Sequence, residues 1–183
     1  TITNVTITDN EYGIYFNSSE SAVTLTNSII WDHAALPIYI DARSGITITY
    51  SDIEGGEANI GGIGVVTWGT GNITGSPLFV DAASGDYSLQ SSSPCIDAGD
   101  PDLDGDGEDY TTDTDDQDLD ETRKDIGAYV YLQGDYVAPD KPTGIVATPG
   151  NEQVTLNWSA NTEADFTFYR IYSDTSANPV TQT

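Results

Sequence analysis

Apolar and polar residues alternate along the first third of the chain in short bursts, and the bursts repeat. Asn4-Val-Thr-Ile-Thr-Asp-Asn10 is echoed by Ala22-Val-Thr-Leu-Thr-Asn-Ser28 and by Gly45-Ile-Thr-Ile-Thr-Tyr-Ser51. The starts lie 18 and then 23 residues apart. A second ladder matches Gly13-Ile-Tyr-Phe-Asn17 to Pro37-Ile-Tyr-Ile-Asp41. Strict alternation predicts strands, because successive side chains leave a strand on opposite faces. Val5, Ile7, Val23, Leu25, Ile46 and Ile48 are then inward, and the intervening threonines outward. Ile14, Phe16, Ile38 and Ile40 are inward on the second ladder, which puts Tyr15 and Tyr39 outside, one above the other. Each repeat is read as two short strands. A period of about 20 residues that stacks like on like predicts a parallel β-solenoid, whose coils bury their apolar faces only against neighbouring coils. The chain opens mid-coil on this reading, and further coils are expected before it. Past Ser51 the regularity is expected to give way to glycine-rich turns at Asp52-Ile-Glu-Gly-Gly56 and Gly61-Gly-Ile-Gly64.

Composition agrees with an all-β protein: Thr, Ile, Val, Tyr and Gly dominate and helix formers are scarce. The 183 residues carry 30 Asp and Glu against five Lys and Arg, a formal net charge of −25. Such a surface repels nucleic acid and anionic membranes. No apolar run reaches the ~20 residues of a membrane-spanning helix. Cys95 is the one cysteine, so no internal disulfide can form. A metal ion is the obvious substitute for that staple.

Four blocks follow the coils: Pro77-Leu-Phe-Val-Asp81, Gly85-Asp-Tyr-Ser-Leu89, Ser93-Pro-Cys-Ile-Asp-Ala-Gly99 and Asp125-Ile-Gly-Ala-Tyr129. Over residues 51–131 this series resembles the C-terminal end of secreted bacterial right-handed parallel β-helix proteins. The resemblance implies a solenoid closed by a cap, in a protein outside the cell or on its surface. A lid over the open end would use Pro77, Leu78, Phe79, Leu89, Ile96, Ile126 and Tyr129. Cys95, between Pro94 and Ile96, is expected to be a buried, inert thiol.

Between the last two blocks lies the densest charge in the chain. Residues 97–125 hold fourteen Asp and Glu against Arg123 and Lys124. Within them, Asp102-Leu-Asp-Gly-Asp-Gly-Glu-Asp-Tyr-Thr-Thr-Asp113 fits the D-x-D-x-D-G calcium-loop pattern. Asp102, Asp104 and Asp106 alternate, Gly107 falls at the sharp turn, and Asp113 takes the closing twelfth position. Glu108, Asp115 and Asp118 complete the candidate ligands. The second acidic group, 113–121, either completes this site or holds another ion. All donors are hard oxygens, which favours calcium over zinc. The alternative is a solvated acidic loop.

Tyr136-Val-Ala-Pro-Asp-Lys-Pro142 reads as a linker. Beyond it, Gln153-Val-Thr-Leu-Asn-Trp158 and Phe166-Thr-Phe-Tyr-Arg-Ile-Tyr-Ser173 resemble the opening strands of a fibronectin type III domain. That resemblance implies core positions for Val154, Leu156, Trp158, Tyr169 and Ile171. A full domain of this type needs about 100 residues, so only part is present. The expected organisation is coils and cap over 1–135, a linker over 136–142 and a partial sandwich over 143–183.

No catalytic constellation is visible. Asp32, His33, Asp41 and Arg43 are the ionisable candidates on the coils. The favoured function is an extracellular structural or adhesive module, stabilised by calcium, with a polysaccharide or a neighbouring protein subunit as partner. Tyr15 and Tyr39 would supply a sugar platform, although rung stacking alone also produces such ladders. Two alternatives are the end of a polysaccharide lyase or hydrolase with its catalytic coils upstream, and a self-assembling filament subunit.

Overall fold

The computed structural model describes residues 1–17, 20–133, 141–151 and 153–160. The chain divides into two compact units, Thr1–Gln133 and Gly134–Thr183.

The first unit is wound from coils of three strands, not the two read from the sequence. The first coil is β1 (Ile2–Thr3), β2 (Thr6–Thr8) and β3 (Tyr12–Tyr15). The second is β4 (Ala22–Thr26), β5 (Ile29–Trp31) and β6 (Leu36–Ile40). The third is β7 (Gly45–Thr49), β8 (Asp52–Ile53) and β9 (Ile60–Gly62), and a fourth begins with β10 (Val65–Trp68). Like strands pair in parallel, giving three sheets ordered β1-β4-β7-β10, β2-β5-β8 and β3-β6-β9. The solenoid therefore does not decay at Ser51. Gly61 and Gly62 belong to a strand, and Asp52 still bridges to Ile73.

The register also differs from the sequence reading in the first coil. Ile2, not Ile7, pairs with Leu25, while Ile7 pairs with Ile30. The true spacing there is the same 23 residues that separates Leu25 from Ile48. The error has a physical source: residues 1–8 contain two Thr-Ile-Thr triplets, and a period of two fits either. The turn residue is the better register mark. Asn4, Asn27 and Tyr50 occupy one corner on successive coils, at φ of 53°, 49° and 44°. Asn tolerates this left-handed conformation well, and a bulky Tyr does so rarely.

Inside, isoleucine stacks on isoleucine. Leu25, Ile30, Ile38, Ile40, Ile48 and Ile53 are fully buried in one cluster, with Phe16 and Ile46 beside them. Ile14 aligns with Ile38 and Ile38 with Ile60. Each such side chain contributes about 1.5–3 kcal/mol on full burial.

The blocks after the coils do not cover the open end, as the sequence reading expected. They lie along one side. On the outer face of the second sheet, Thr6, Ile29, Asp52 and Ile73 stand in line. Ile29 there belongs to a second buried cluster with Leu89, Cys95 and Ile126, separate from the cluster around its neighbour Ile30. β11 (Phe79–Asp81) and β12 (Asp86–Leu89) form an antiparallel hairpin that contributes Leu89. Gly127 is held at φ 109°, where an added Cβ would lie 2.7 Å from Ile29 Cδ1 and 2.9 Å from Thr6 Oγ1. Its N–H donates to Asn27 O at 2.9 Å, and the N–H of Ala128 donates to Thr6 Oγ1 at 3.0 Å. Tyr129, expected in the lid, is 45% exposed. The cap is thus a lateral brace that clips several coils together.

In the second unit, β13 (Thr143–Gly150) and β14 (Gln153–Ser159) form an antiparallel hairpin. Val154 and Leu156, assigned to a core, are exposed at 63% and 37%. Tyr169 and Ile171 lie outside the described residues.

Candidate metal centre

The acidic loop is rooted on the coils. Gly99 N–H donates to Lys124 O at 2.8 Å, joining its two ends, and Asp100 N–H donates to Asn27 Oδ1 at 2.6 Å. Arg123 is anchored at the root of the loop. Its Nε donates to Gly99 O at 2.5 Å and its guanidinium lies 5.5 Å from the centre of the Tyr50 ring. Lys124 Nζ donates to the carbonyl of Asp115.

Within the loop, carboxylates replace the missing backbone ladder. Asp102 Oδ1 accepts from Gly105 N–H at 3.0 Å, Asp104 Oδ1 from Asp106 N–H at 3.0 Å, and Asp106 Oδ1 from Glu108 N–H at 2.8 Å. Such side-chain turns let short polar residues fold a chain without helix or sheet. Gly105 and Gly107 sit at φ of 80° and 94° with no atom near a would-be Cβ, so backbone conformation, not crowding, requires glycine there.

Two groups of acids converge. Asp102, Asp104 and Asp116 bring carboxylate oxygens within 4.8 Å of one another, and so do Asp104, Asp106 and Asp113. Four of the seven expected ligands are therefore brought together: Asp102, Asp104, Asp106 and Asp113. Glu108 is in neither group; its Oε2 accepts from Thr112 Oγ1 at 3.1 Å at the surface. Asp115 is also in neither. Its carboxyl sits against Asp113, which it holds below the usual carboxylate range while Asp113 pushes Asp115 up.

Asp118 lies at the neck of the loop instead. Burial, and then the neighbouring Asp120, push it up to about 7. The neck is otherwise well supplied with donors. Asp97 Oδ1 accepts from Thr122 Oγ1 at 2.6 Å, and Asp125 accepts from Asp97 N–H at 2.8 Å and Tyr131 N–H at 2.5 Å.

The residue that sequence reasoning missed is Asp116. It is fully buried, and Oδ1 accepts from Leu103 N–H at 2.7 Å. Its Oδ2 is buried with no hydrogen-bond partner. A buried carboxylate oxygen without a donor is costly, and a cation is the usual remedy. The sequence signal was the second acidic group. Nothing in a run of acids tells which one the fold buries.

Elsewhere on the coils, Tyr15 and Tyr39 stack at 5.0 Å and 11°, with Tyr12 edge-on to both. The stacked faces are turned to one another, as rung stacking alone produces. His33 uses both ring nitrogens: Nδ1 accepts from Asn10 N–H at 3.3 Å and Nε2 lies 3.2 Å from Ile7 O. Those contacts tie one coil to the next. A groove of about 570 Å³ opens between the second sheet and the β11–β12 hairpin, lined by Asp9, Trp31, Asp32, Phe79 and Tyr87 among others. Cys95 is buried as expected, and its Sγ donates to Asp52 Oδ2 at 3.3 Å. Burial, and then the charge of Asp52, push the thiol far up, out of reach of nucleophilic chemistry.

No helix among the described residues is long and apolar enough to cross a membrane. No curated protein and no solved structure matches the chain. The family model for the right handed beta helix region matches residues 1–95. That span covers the stacked parallel sheets and runs into the cap as far as Cys95, and the chain belongs to the right-handed beta helix family.

Proposed function

We propose that this chain is a non-catalytic structural or adhesive module of an extracellular protein, in which calcium in the acidic loop fixes the lateral brace of the β-helix. One observation carries the reading: the unpaired, fully buried Oδ2 of Asp116 beside Asp102 and Asp104. The two cations of the acidic segment, Arg123 and Lys124, donate to the backbone carbonyls of Gly99 and Asp115. Hard oxygen donors on a short loop suit calcium, and millimolar calcium outside cells would fill even a weak site. The loop's roots on Asn27 and beside Tyr50 would carry that binding energy to the coils.

A polysaccharide is the proposed partner, with the groove at Trp31 as its seat. Its aromatic rings and carboxylates are the groups that stack on and hydrogen-bond to sugars. The second unit is proposed to open a fibronectin type III-like sandwich, with β13 and β14 as its first two strands.

Thermal unfolding with and without calcium tests the core of this reading. Saturation at 100 times the dissociation constant stabilises by about 2.7 kcal/mol. The expected result is a higher melting temperature in calcium, reversed by chelator, with the same β signal in circular dichroism below the transition. An unchanged melting temperature together with no heat of binding would sink it.

A further inference from the structure

We infer that the acidic loop holds two calcium ions rather than one, with Asp104 as the carboxylate they share. This rests on the calcium reading above and deepens it. The five converging acids do not form one cluster. They form two groups of three with a single common member, Asp104. Asp102 and Asp116 are grouped with it in one, Asp106 and Asp113 in the other. Calcium ligands stand at about 2.3–2.6 Å, so the three oxygens of each group have the mutual spacing of ligands on one ion.

Charge leads to the same count. Lys124 is a cation felt by Asp113, and five carboxylates around one divalent ion still keep three negative charges. Two ions leave one. Surroundings separate the two positions. The inner one is built on Asp116, which is fully buried and whose Oδ2 has no donor. The outer one is built on the exposed Asp106 and the half-buried Asp113. The inner ion is therefore held by a preformed, desolvated carboxylate and the outer one by groups that water reaches. The inner ion should bind more tightly and exchange more slowly.

Native mass spectrometry of the full chain, stripped of metal and then titrated with calcium in excess magnesium, counts the ions directly. Two are expected, filling in sequence. Asp106→Asn should keep one, the tight one. Asp116→Asn should keep one, the weak one. Asp104→Asn should lose both. Asp106 is exposed, so its variant tests the count even if Asp116→Asn fails to fold. A single ion on the unmodified chain overturns this inference and leaves the calcium reading standing. No ion at all overturns both. Two ions retained by Asp104→Asn overturn the shared carboxylate.

Discussion

The coils and the acidic loop sit in one compact unit and are ordered by opposite means. In the coils, like strands pair in parallel, and the interior is a stack of fully buried Ile and Leu. Order there comes from repetition. In the loop, backbone donors are satisfied by aspartates two or three residues away, and the remaining carboxylate oxygens crowd together. Order there comes from side-chain turns. The same unit thus carries one part ordered by burial and one part ordered by side-chain turns, for which calcium is the proposed support. Between them lies the brace around Ile29, Cys95 and Ile126, which joins the two.

The sharpest way to break this contrast is to empty the coil interior. Ile30→Ala removes a fully buried side chain from the middle coil, and should cost about 2–5 kcal/mol. Urea unfolding measures it. If the loss is the same with and without calcium, burial and ligation are separate supports. A loss that vanishes in calcium would mean that the ion, not the core, holds the coils.

Asp52 probes the join. It is fully buried behind Cys95 with Oδ1 unpaired, and burial pushes it up to about 7 from 3.8. A carboxyl raised on folding binds its proton more tightly in the folded state. Stability should therefore fall as pH rises from 3.8 through about 7, and level off above it. At 1.36 kcal/mol per unit, the whole effect is at most about 4 kcal/mol. Asp52→Asn should remove this slope and melt higher than the parent at pH 8. Parallel melting curves for the two proteins across about pH 6 to 8, roughly one unit of titration either side of the pKa, would rule this role out.

The smallest effect is expected at the tyrosine ladder. Tyr15→Ala loses a stacked aromatic pair worth about 0.5–1.5 kcal/mol. Retention on polysaccharide affinity gels should not change. If retention falls while stability holds, the tyrosines are a sugar platform and not a rung stack.

The contrast also explains which parts of the molecule could be read in advance. The stacking of Ile14 on Ile38 and of Tyr15 on Tyr39 follows from alternation and a shared turn, both of which are local. The convergence of Asp102, Asp104, Asp106 and Asp113 was legible the same way, because spacing along a short loop is written in the chain. The first coil's register was not, since two identical triplets compete and only the neighbouring coil chooses between them.

Alternation, period and the glycine-spaced aspartates follow from backbone geometry over a few residues, so the sequence by itself determined a parallel solenoid and a loop of converging acids. Tertiary structure alone decided three further things. It made three strands per coil, because a corner at Asn27 is defined by its neighbours above and below. It laid the cap along Thr6, Ile29 and Asp52, because an outward ladder shows its apolar member only once the sheet exists. And it chose Asp116 from a run of equivalent acids, because burial is a property of what surrounds a residue and not of the residue itself.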